Sequence, residues 1–440
     1  MAKSSAAKKG VKNTSSLQLQ IYYIEENLDS TYDFRYNPIS DRTEFKTRKE
    51  KDYIPLTERD INSLFRSLNY QGVKCQISTL KSILNSNYIP TKDPFVEYFE
   101  SLPAYTESQP NYINQLMDTV DASNDLFFKM AFPKWLVSTV ACAINSKEVN
   151  QHVLVMVGKQ GIGKSTWLNK LVPDALEGYL YSGIVNPNNK DTLVNLSENF
   201  IINLDELENL NKTELGSLKA LITQSAIRLR KAYGIFNENF VRRASFVGSV
   251  NEVEFLTDPT GNRRYLVINT DDIDYMHDID MDKVYSQAYY YYLQQRKSPG
   301  LFKYHFDKDE IKVIEENNKQ FIRVSMEEEL LFKYFKVPDS SNSPIVYFTN
   351  TDIMNYVTQR EKMRSGDPSF GRRLGNILKK NGFIQKSVNN QKPYGLMELH
   401  PEKPIKTTYS SKNKVSNSYD EPPEPPESAE PQWEVNVDDI

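Results

Sequence analysis

The sequence predicts an α/β fold, a mostly parallel sheet with flanking helices, with a helical region before it and a small helical module after it. Three observations carry that prediction. Val153-Leu-Val-Met-Val is an unbroken apolar run of strand length with glycines directly after it. Runs of this kind belong to parallel strands buried on both faces. Further apolar runs follow at Phe200-Ile-Ile-Asn-Leu, Ser245-Phe-Val-Gly-Ser-Val and Tyr265-Leu-Val-Ile. Helical segments between them give the alternation of an α/β sheet. On either side the spacing of apolar residues is helical.

The elements follow in order. Residues 1–16 are small, polar and lysine-bearing, the composition of a disordered segment. Leu17-Gln-Leu-Gln-Ile-Tyr-Tyr-Ile alternates and reads as a strand within a partly ordered segment ending near residue 50. Thr57-x-x-Asp60 is a capping box, after which Ile61, Leu64, Phe65 and Leu68 recur at helix spacing. A second helix covers Ile77 to Leu84, and residues 124–145 form a buried helical region with Pro133 early in it. Residues 51–150 thus read as a helical domain and 151–300 as the α/β domain. Residues 301–400 read as a connector followed by helices at 326–335, at 350–357 behind the cap Thr349-x-x-Asp352, and at 369–380 before Asn381-Gly382. Phe383-Ile-Gln-Lys-Ser and Tyr394-Gly-Leu-Met-Glu-Leu read as a two-stranded wing, which makes the module winged-helix-like. Residues 401–440 are rich in Pro, Ser and Glu and read as a disordered tail.

Composition narrows the classes. At 440 residues, about three domains are expected. No run of about 18 apolar residues is present, so no spanning helix and no membrane partner are expected. The N-terminus lacks the apolar core of a secretory signal. Two cysteines, Cys75 and Cys142, exclude a disulfide scaffold, and the reading is cytoplasmic. Four scattered histidines offer no metal-ligand spacing. The formal charge of −4 argues against a simple basic nucleic-acid binder. Eight acids and no Lys or Arg lie beyond residue 414, and setting them aside changes −4 to +4 for residues 1–414.

Gly158-Lys159-Gln160-Gly161-Ile162-Gly163-Lys164-Ser165, followed by Thr166, fills every fixed position of G-x-x-x-x-G-K-S/T between a strand and a helix. Glycines let the backbone curl around a phosphate, and loop N–H groups point at the anion. Lys164 would reach the β- and γ-phosphates, and the Ser165 hydroxyl would ligate Mg2+. The alternative is a chance glycine-rich turn. The run at 200–204 ends in Asp205-Glu206. An acid at the end of a strand beside the loop holds the Mg2+ shell, which fits Asp205, and a second carboxylate polarises the attacking water, which fits Glu206. The same acids would also suit the first turn of a helix. Asn251, at the end of the next run, would orient the water and sense the γ-phosphate, or form a turn. Arg263-Arg264, after Gly261-Asn262, would act as an arginine finger on a neighbouring subunit's nucleotide, or pair with surface acids.

The order of these motifs resembles the ATPase core of superfamily-three helicases. More closely, Gly158-x-x-Gly-x-Gly-Lys-Ser-Thr166, Leu204-Asp-Glu-Leu, Phe246-Val-Gly-Ser-Val-Asn and Phe255-Leu-x-Asp-x-Thr-Gly-Asn-Arg-Arg-Tyr are similar to the virulence-associated protein E family, over residues 90–300. The resemblance implies an AAA+-like P-loop NTPase using ATP and Mg2+, assembled as a ring, in all expectation a hexamer, and working on single-stranded or forked DNA. It implies that Arg263 or Arg264 acts in trans. Related proteins often carry a primase module upstream. Here the preceding residues show no acidic cluster for that chemistry, so a helicase-only form is expected.

DNA contacts are expected in two places. Arg228 and Arg230 alternate with apolar residues, with Lys231 and Tyr233 close behind, as on a strand with one basic face, and the superfamily-three resemblance implies a hairpin here that grips single-stranded DNA in the ring pore. Contact with nucleotide or with a neighbour's acids is the alternative. In the last helix Arg372, Arg373, Lys379 and Lys380 surround the stripe Phe370, Leu374, Ile377 and Leu378, as in a recognition helix, or as in a solvated amphipathic helix. The acidic tail reads as solubilising, with docking of a replication protein as the other reading. The function expected is an ATP-dependent DNA helicase or translocase of a phage-like or mobile-element replication system. The alternative is a DNA-binding ATPase switch or origin loader without processive unwinding.

Overall fold

The computed structural model describes residues 16–183, 185, 189–205, 207, 212–229, 238–256, 261–297, 302–338, 345–362, 368–387 and 391–399. Of the segment 1–16 expected to be disordered, residues 1–15 lie outside the described residues and Ser16 begins a helix; the tail expected at 401–440 lies wholly outside them. The chain divides into two compact units, Met1–Ile322 and Arg323–Ile440.

The first unit begins with a helix, Ser16–Thr31, where alternation had predicted a strand. The alternation covers only the first few residues. Ile21, Ile24 and Leu28 follow at helix spacing, and Ile24 and Leu28 are buried against Leu64, Leu68, Leu80 and Leu84. An antiparallel sheet of β1 (Tyr32–Asn37), β2 (Arg42–Thr47) and β3 (Ile54–Pro55) follows, inside a region read from sequence as helical or flexible. The Thr57 capping box forms, with its helix at Glu58–Tyr70, and the next helix is Ile77–Leu84. Strand β4 (Val120–Ala122) then joins the central sheet, so residues before 151 supply part of it.

Helix Asp125–Ile144 is long and apolar enough to cross a membrane by length and composition, although Asp125, Lys129 and Lys134 interrupt its apolar sequence. It is a core helix: Phe128, Phe132, Trp135, Leu136 and Val140 are fully buried.

The central sheet adds β5 (Val153–Val157), β6 (Leu180–Ser182), β7 (Ile201–Leu204), β10 (Ser245–Val250) and β11 (Tyr265–Ile273), after the separate hairpin of β8 (Ala226–Leu229) and β9 (Glu238–Val241). Its order is β4-β11-β5-β10-β7-β6, parallel except for the β4 edge. All five residues of β5 are buried. Val153, Val155 and Val157 join one apolar cluster, while Leu154 and Met156 join another on the opposite face. A strand with a core on each side cannot alternate apolar and polar, which explains the unbroken run. Each such side chain contributes roughly 1.5–3 kcal/mol by burial.

The second unit contains helices Met326–Tyr334, Asn350–Arg360 and Pro368–Lys380. The Thr349 capping box forms, and Gly382 ends the last helix with φ +78°. The second strand of the expected wing, β14 (Tyr394–Glu398), lies in a three-stranded antiparallel sheet between β12 (Phe335–Lys336) and β13 (Val346–Phe348). Segment 383–387 pairs with it as expected but briefly, by the bridge from Gln385 to Tyr394 and by two backbone bonds, from the Lys386 N–H to the Pro393 carbonyl at 3.0 Å and from the Gly395 N–H to the Ile384 carbonyl at 2.9 Å. Ile384 is 78% exposed there, whereas Phe335 and Phe348 are buried, so β12 and β13 have apolar faces to lay on the core and 383–387 has only Phe383.

Candidate functional site

The loop 158–163 joins the carboxyl end of β5 to helix Lys164–Lys170. Two features make its glycines obligatory. Gly161 and Gly163 have φ of +87° and +94°, the left-handed region that disfavours a Cβ. Gly158 and Gly163 are also crowded: a Cβ would overlap the Thr270 carbonyl oxygen at the first and the Tyr275 ring at the second. Lys159, Gln160 and Gly161 are exposed, Ile162 packs against the core, and Thr166 is exposed on the helix.

Lys164 is buried, with its charge satisfied by polar atoms. Its Nζ donates to the carbonyls of Gly158 and Lys159, both at 2.8 Å, and to Asn251 Oδ1 at 3.1 Å. Ser165 Oγ donates to Asp205 Oδ1 at 2.8 Å, and Ser249 Oγ donates to the same oxygen at 3.1 Å. The two serine hydroxyls lie 3.1 Å apart. Parallel pairing of β5, β10 and β7 brings the ends of all three strands to one edge. Asn251 and Asp205 follow β10 and β7 there, and the Gly158 N–H bonds to the Val250 carbonyl, fixing the loop to β10. Lys164, Ser165, Asp205 and Asn251, distant in sequence, are therefore brought together. Glu206 lies outside the described residues.

Ser249 is a site residue that the sequence reading passed over. It sits inside an apolar run, where a small hydroxyl looks like an ordinary strand residue. Its signal was its position two residues before Asn251.

Arg263 and Arg264 are on the opposite edge. They precede β11, whose Tyr265 pairs with Val153 at the start of β5. The length of β5 separates them from the loop, roughly 16 Å at 3.3 Å per residue. Arg263 is exposed; the Arg264 Nε is buried without a hydrogen-bond partner, and neither arginine forms an ion pair among the described residues. Burial, with Arg264, His305 and Arg263 adding repulsion, pulls His152 down to about 4, so it is neutral there at pH 7. Asn318, fully buried, brackets the arginine turn: its Nδ2 donates to the carbonyls of Asn262 at 2.9 Å and Tyr265 at 2.8 Å.

Arg228 lies on β8, paired with Asn239 of β9; Arg230 and Lys231 lie outside the described residues. The hairpin base is fixed by Arg242, which is fully buried and donates to four backbone carbonyls, those of Asn150, Leu221, Ile222 and Ala244. Burial pulls its guanidinium down to about 10, so it stays charged.

In the second unit the four basic candidates divide. Arg373 pairs with Glu327 at 2.6 Å and Lys380 approaches Glu328 at 3.7 Å. Those two meet acids of helix Met326–Tyr334, although Lys380 is itself exposed, as are Arg372 and Lys379.

The chain is thus one of the α/β proteins that gather polar groups at the carboxyl ends of parallel strands. The family model of the virulence-associated protein E-like domain matches residues 100–323, just over half of the chain, and the chain belongs to that family. It is similar to the apo structure of the NrS-1 C terminal region (305-718), with 15% identity, coverage of 86% of this chain and 99% of that one, and a TM-score of 0.42. The A form apo structure of the NrS-1 C terminal region has 14% identity, the same coverage and a TM-score of 0.44. The active helicase Cch of SCCmec type IV has 12% identity, coverage of 83% and 92%, and a TM-score of 0.37. No curated protein matches the chain.

Proposed function

We propose that the chain is a P-loop, AAA+-like ATPase that moves on DNA, a helicase or translocase of a phage-like or mobile-element replication system, with a winged-helix-like module as its second unit. The observation that carries the reading is the convergence of Lys164, Ser165, Ser249, Asp205 and Asn251 on one loop. A buried lysine bonded to two loop carbonyls and to Asn251 is a cation at hand for phosphate. Family membership supports the same reading.

Two hydroxyls and a carboxylate within hydrogen-bonding distance are hard oxygen donors, and they fit Mg2+. Ser165 and Asp205 would hold the ion, with Ser249 fixing the carboxylate, and the ion would neutralise charge on the phosphates. The loop N–H groups and Lys164 bind the β- and γ-phosphates of ATP, Asn251 orients water near the γ-phosphate, and Glu206 takes its proton. Arg263 or Arg264 completes a neighbour's site in a ring, for which the proposed size is six. The hairpin with Arg228, Arg230 and Lys231 faces single-stranded DNA in the pore. In the second unit the exposed Arg372 and Lys379 carry DNA contact more than the ion-paired Arg373 and Lys380. Docking of a replication protein on the acidic tail completes the set of partners.

The test is ATP turnover by the full chain with and without single-stranded DNA, joined to strand displacement on a forked duplex. DNA-stimulated turnover with displacement supports the proposal. Turnover without displacement leaves a switch or origin loader, and wild-type-like turnover in Lys164→Ala refutes the site.

A further inference from the structure

Tyr275 stands over the phosphate loop. It lies on the turn after β11, with its ring against Gly163, where a Cβ would overlap the ring atoms. The turn is pinned. The Asp274 N–H donates to the Thr119 carbonyl at 2.8 Å, Lys170 Nζ donates to the His277 carbonyl at 3.2 Å, and the Ile279 N–H donates to His277 Nδ1 at 3.3 Å. Despite that anchoring, Tyr275 remains 38% exposed and Met276 beside it 73% exposed. A large aromatic held in place beside a ligand loop and left partly uncovered has ring surface to offer a ligand.

A cavity of about 380 Å³ opens at the same edge of the sheet, bordered by Thr119, Ile273 and Asp274. Asp118, Asp121 and Asp272 also line it. Carboxylates accept hydrogen bonds from ribose hydroxyls and base amino groups, and they repel further anions. The charge pattern thus sets a direction, with phosphates on the lysine side of the loop and the nucleoside on the Tyr275 side.

We propose that Tyr275 is the nucleoside-contacting residue of this site, its ring stacking on the base of the bound ATP. The proposal rests on the ATP-binding reading above and adds the recognition of the base. Every base has a π face, so the contact strengthens binding of any nucleoside triphosphate and contributes nothing to a ligand without a base.

The experiment compares the affinity of the full chain for ATP and for inorganic tripolyphosphate, in Mg2+, across wild type, Tyr275→Ala, Tyr275→Leu, Tyr275→Phe and Lys164→Ala. Tyr275→Leu keeps bulk against the loop and loses the flat face. In Tyr275→Ala and Tyr275→Leu, ATP affinity is expected to fall about tenfold or more, with tripolyphosphate within about twofold of wild type. Tyr275→Phe keeps both affinities, and Lys164→Ala loses both. Unchanged ATP affinity in Tyr275→Leu, or an equal fall for both ligands, overturns the stacking role and leaves Tyr275 as loop packing. A wild-type chain that binds neither ligand overturns the ATP site itself.

Discussion

At the carboxyl edge of the central sheet, Lys164 meets two carbonyls and Asn251, and Ser165 and Ser249 meet Asp205. At the amino edge, Arg264 buries a donor without an acceptor and Arg263 stands exposed. The first edge is closed on itself: each polar group has an answer in the same chain. The second edge is open, and yet it is not loosely built, since Asn318 fixes the backbone on both sides of the arginines. A rigid turn that presents unanswered cations has the form of half a site. In the proposed ring, a neighbour's bound nucleotide would be the acceptor with the matching charge.

The largest expected effect breaks the closed edge. Lys164→Ala should lower ATP turnover at least about a hundredfold, measured as phosphate release, while the chain still folds by circular dichroism. Next comes the open edge. The double replacement Arg263→Ala with Arg264→Ala should lower turnover on the order of a thousandfold while leaving ATP affinity near wild type, and the single replacements then assign the finger. Mixing that protein with Lys164→Ala chains should restore activity, because each supplies what the other lacks. Failure of mixing to restore any turnover would remove the trans assignment.

Asn318→Ala should act in the same direction with a smaller effect, about tenfold in turnover, alongside a loss of about 1–3 kcal/mol in stability from two buried carbonyls left without donors. The last effect is one of pH and bears on stability alone. The folded chain keeps His152 neutral down to about 4, whereas the unfolded chain takes up a proton near 6.5. Between those values the unfolded state binds more protons. Stability is therefore complete above about pH 6.5 and falls as the pH drops through the window, by up to about 1.4 kcal/mol per unit. His152→Phe should flatten that slope in denaturant titrations, and the double arginine replacement should raise the His152 pKa toward its ordinary value in NMR titration.

The loop was legible because its signal is local: glycines at fixed spacing between an apolar run and a helix. The parallel sheet was legible for the same reason, its strands being apolar throughout. The caps at Thr57 and Thr349 were readable three residues at a time. What failed depended on distance. The helix at Ser16–Thr31 took its identity from Ile24 and Leu28 packing on residues 40–60 positions away, which a short alternating stretch does not reveal. The β14 strand found its partners before and between helices, where short sequences gave no strand pattern. Asn318 lies more than 50 residues after the turn it holds, and nothing nearby in sequence marks it.

If the arginine turn serves a neighbour's site, as proposed, its placement at the far edge from the loop would have a consequence for regulation. A chain whose catalytic cation serves only another chain is idle when alone. Its specific activity would then depend on how many copies are present, rising steeply as protein accumulates and falling on dilution. Expression level itself would be the control, with no inhibitor needed to keep a scarce protein from consuming ATP.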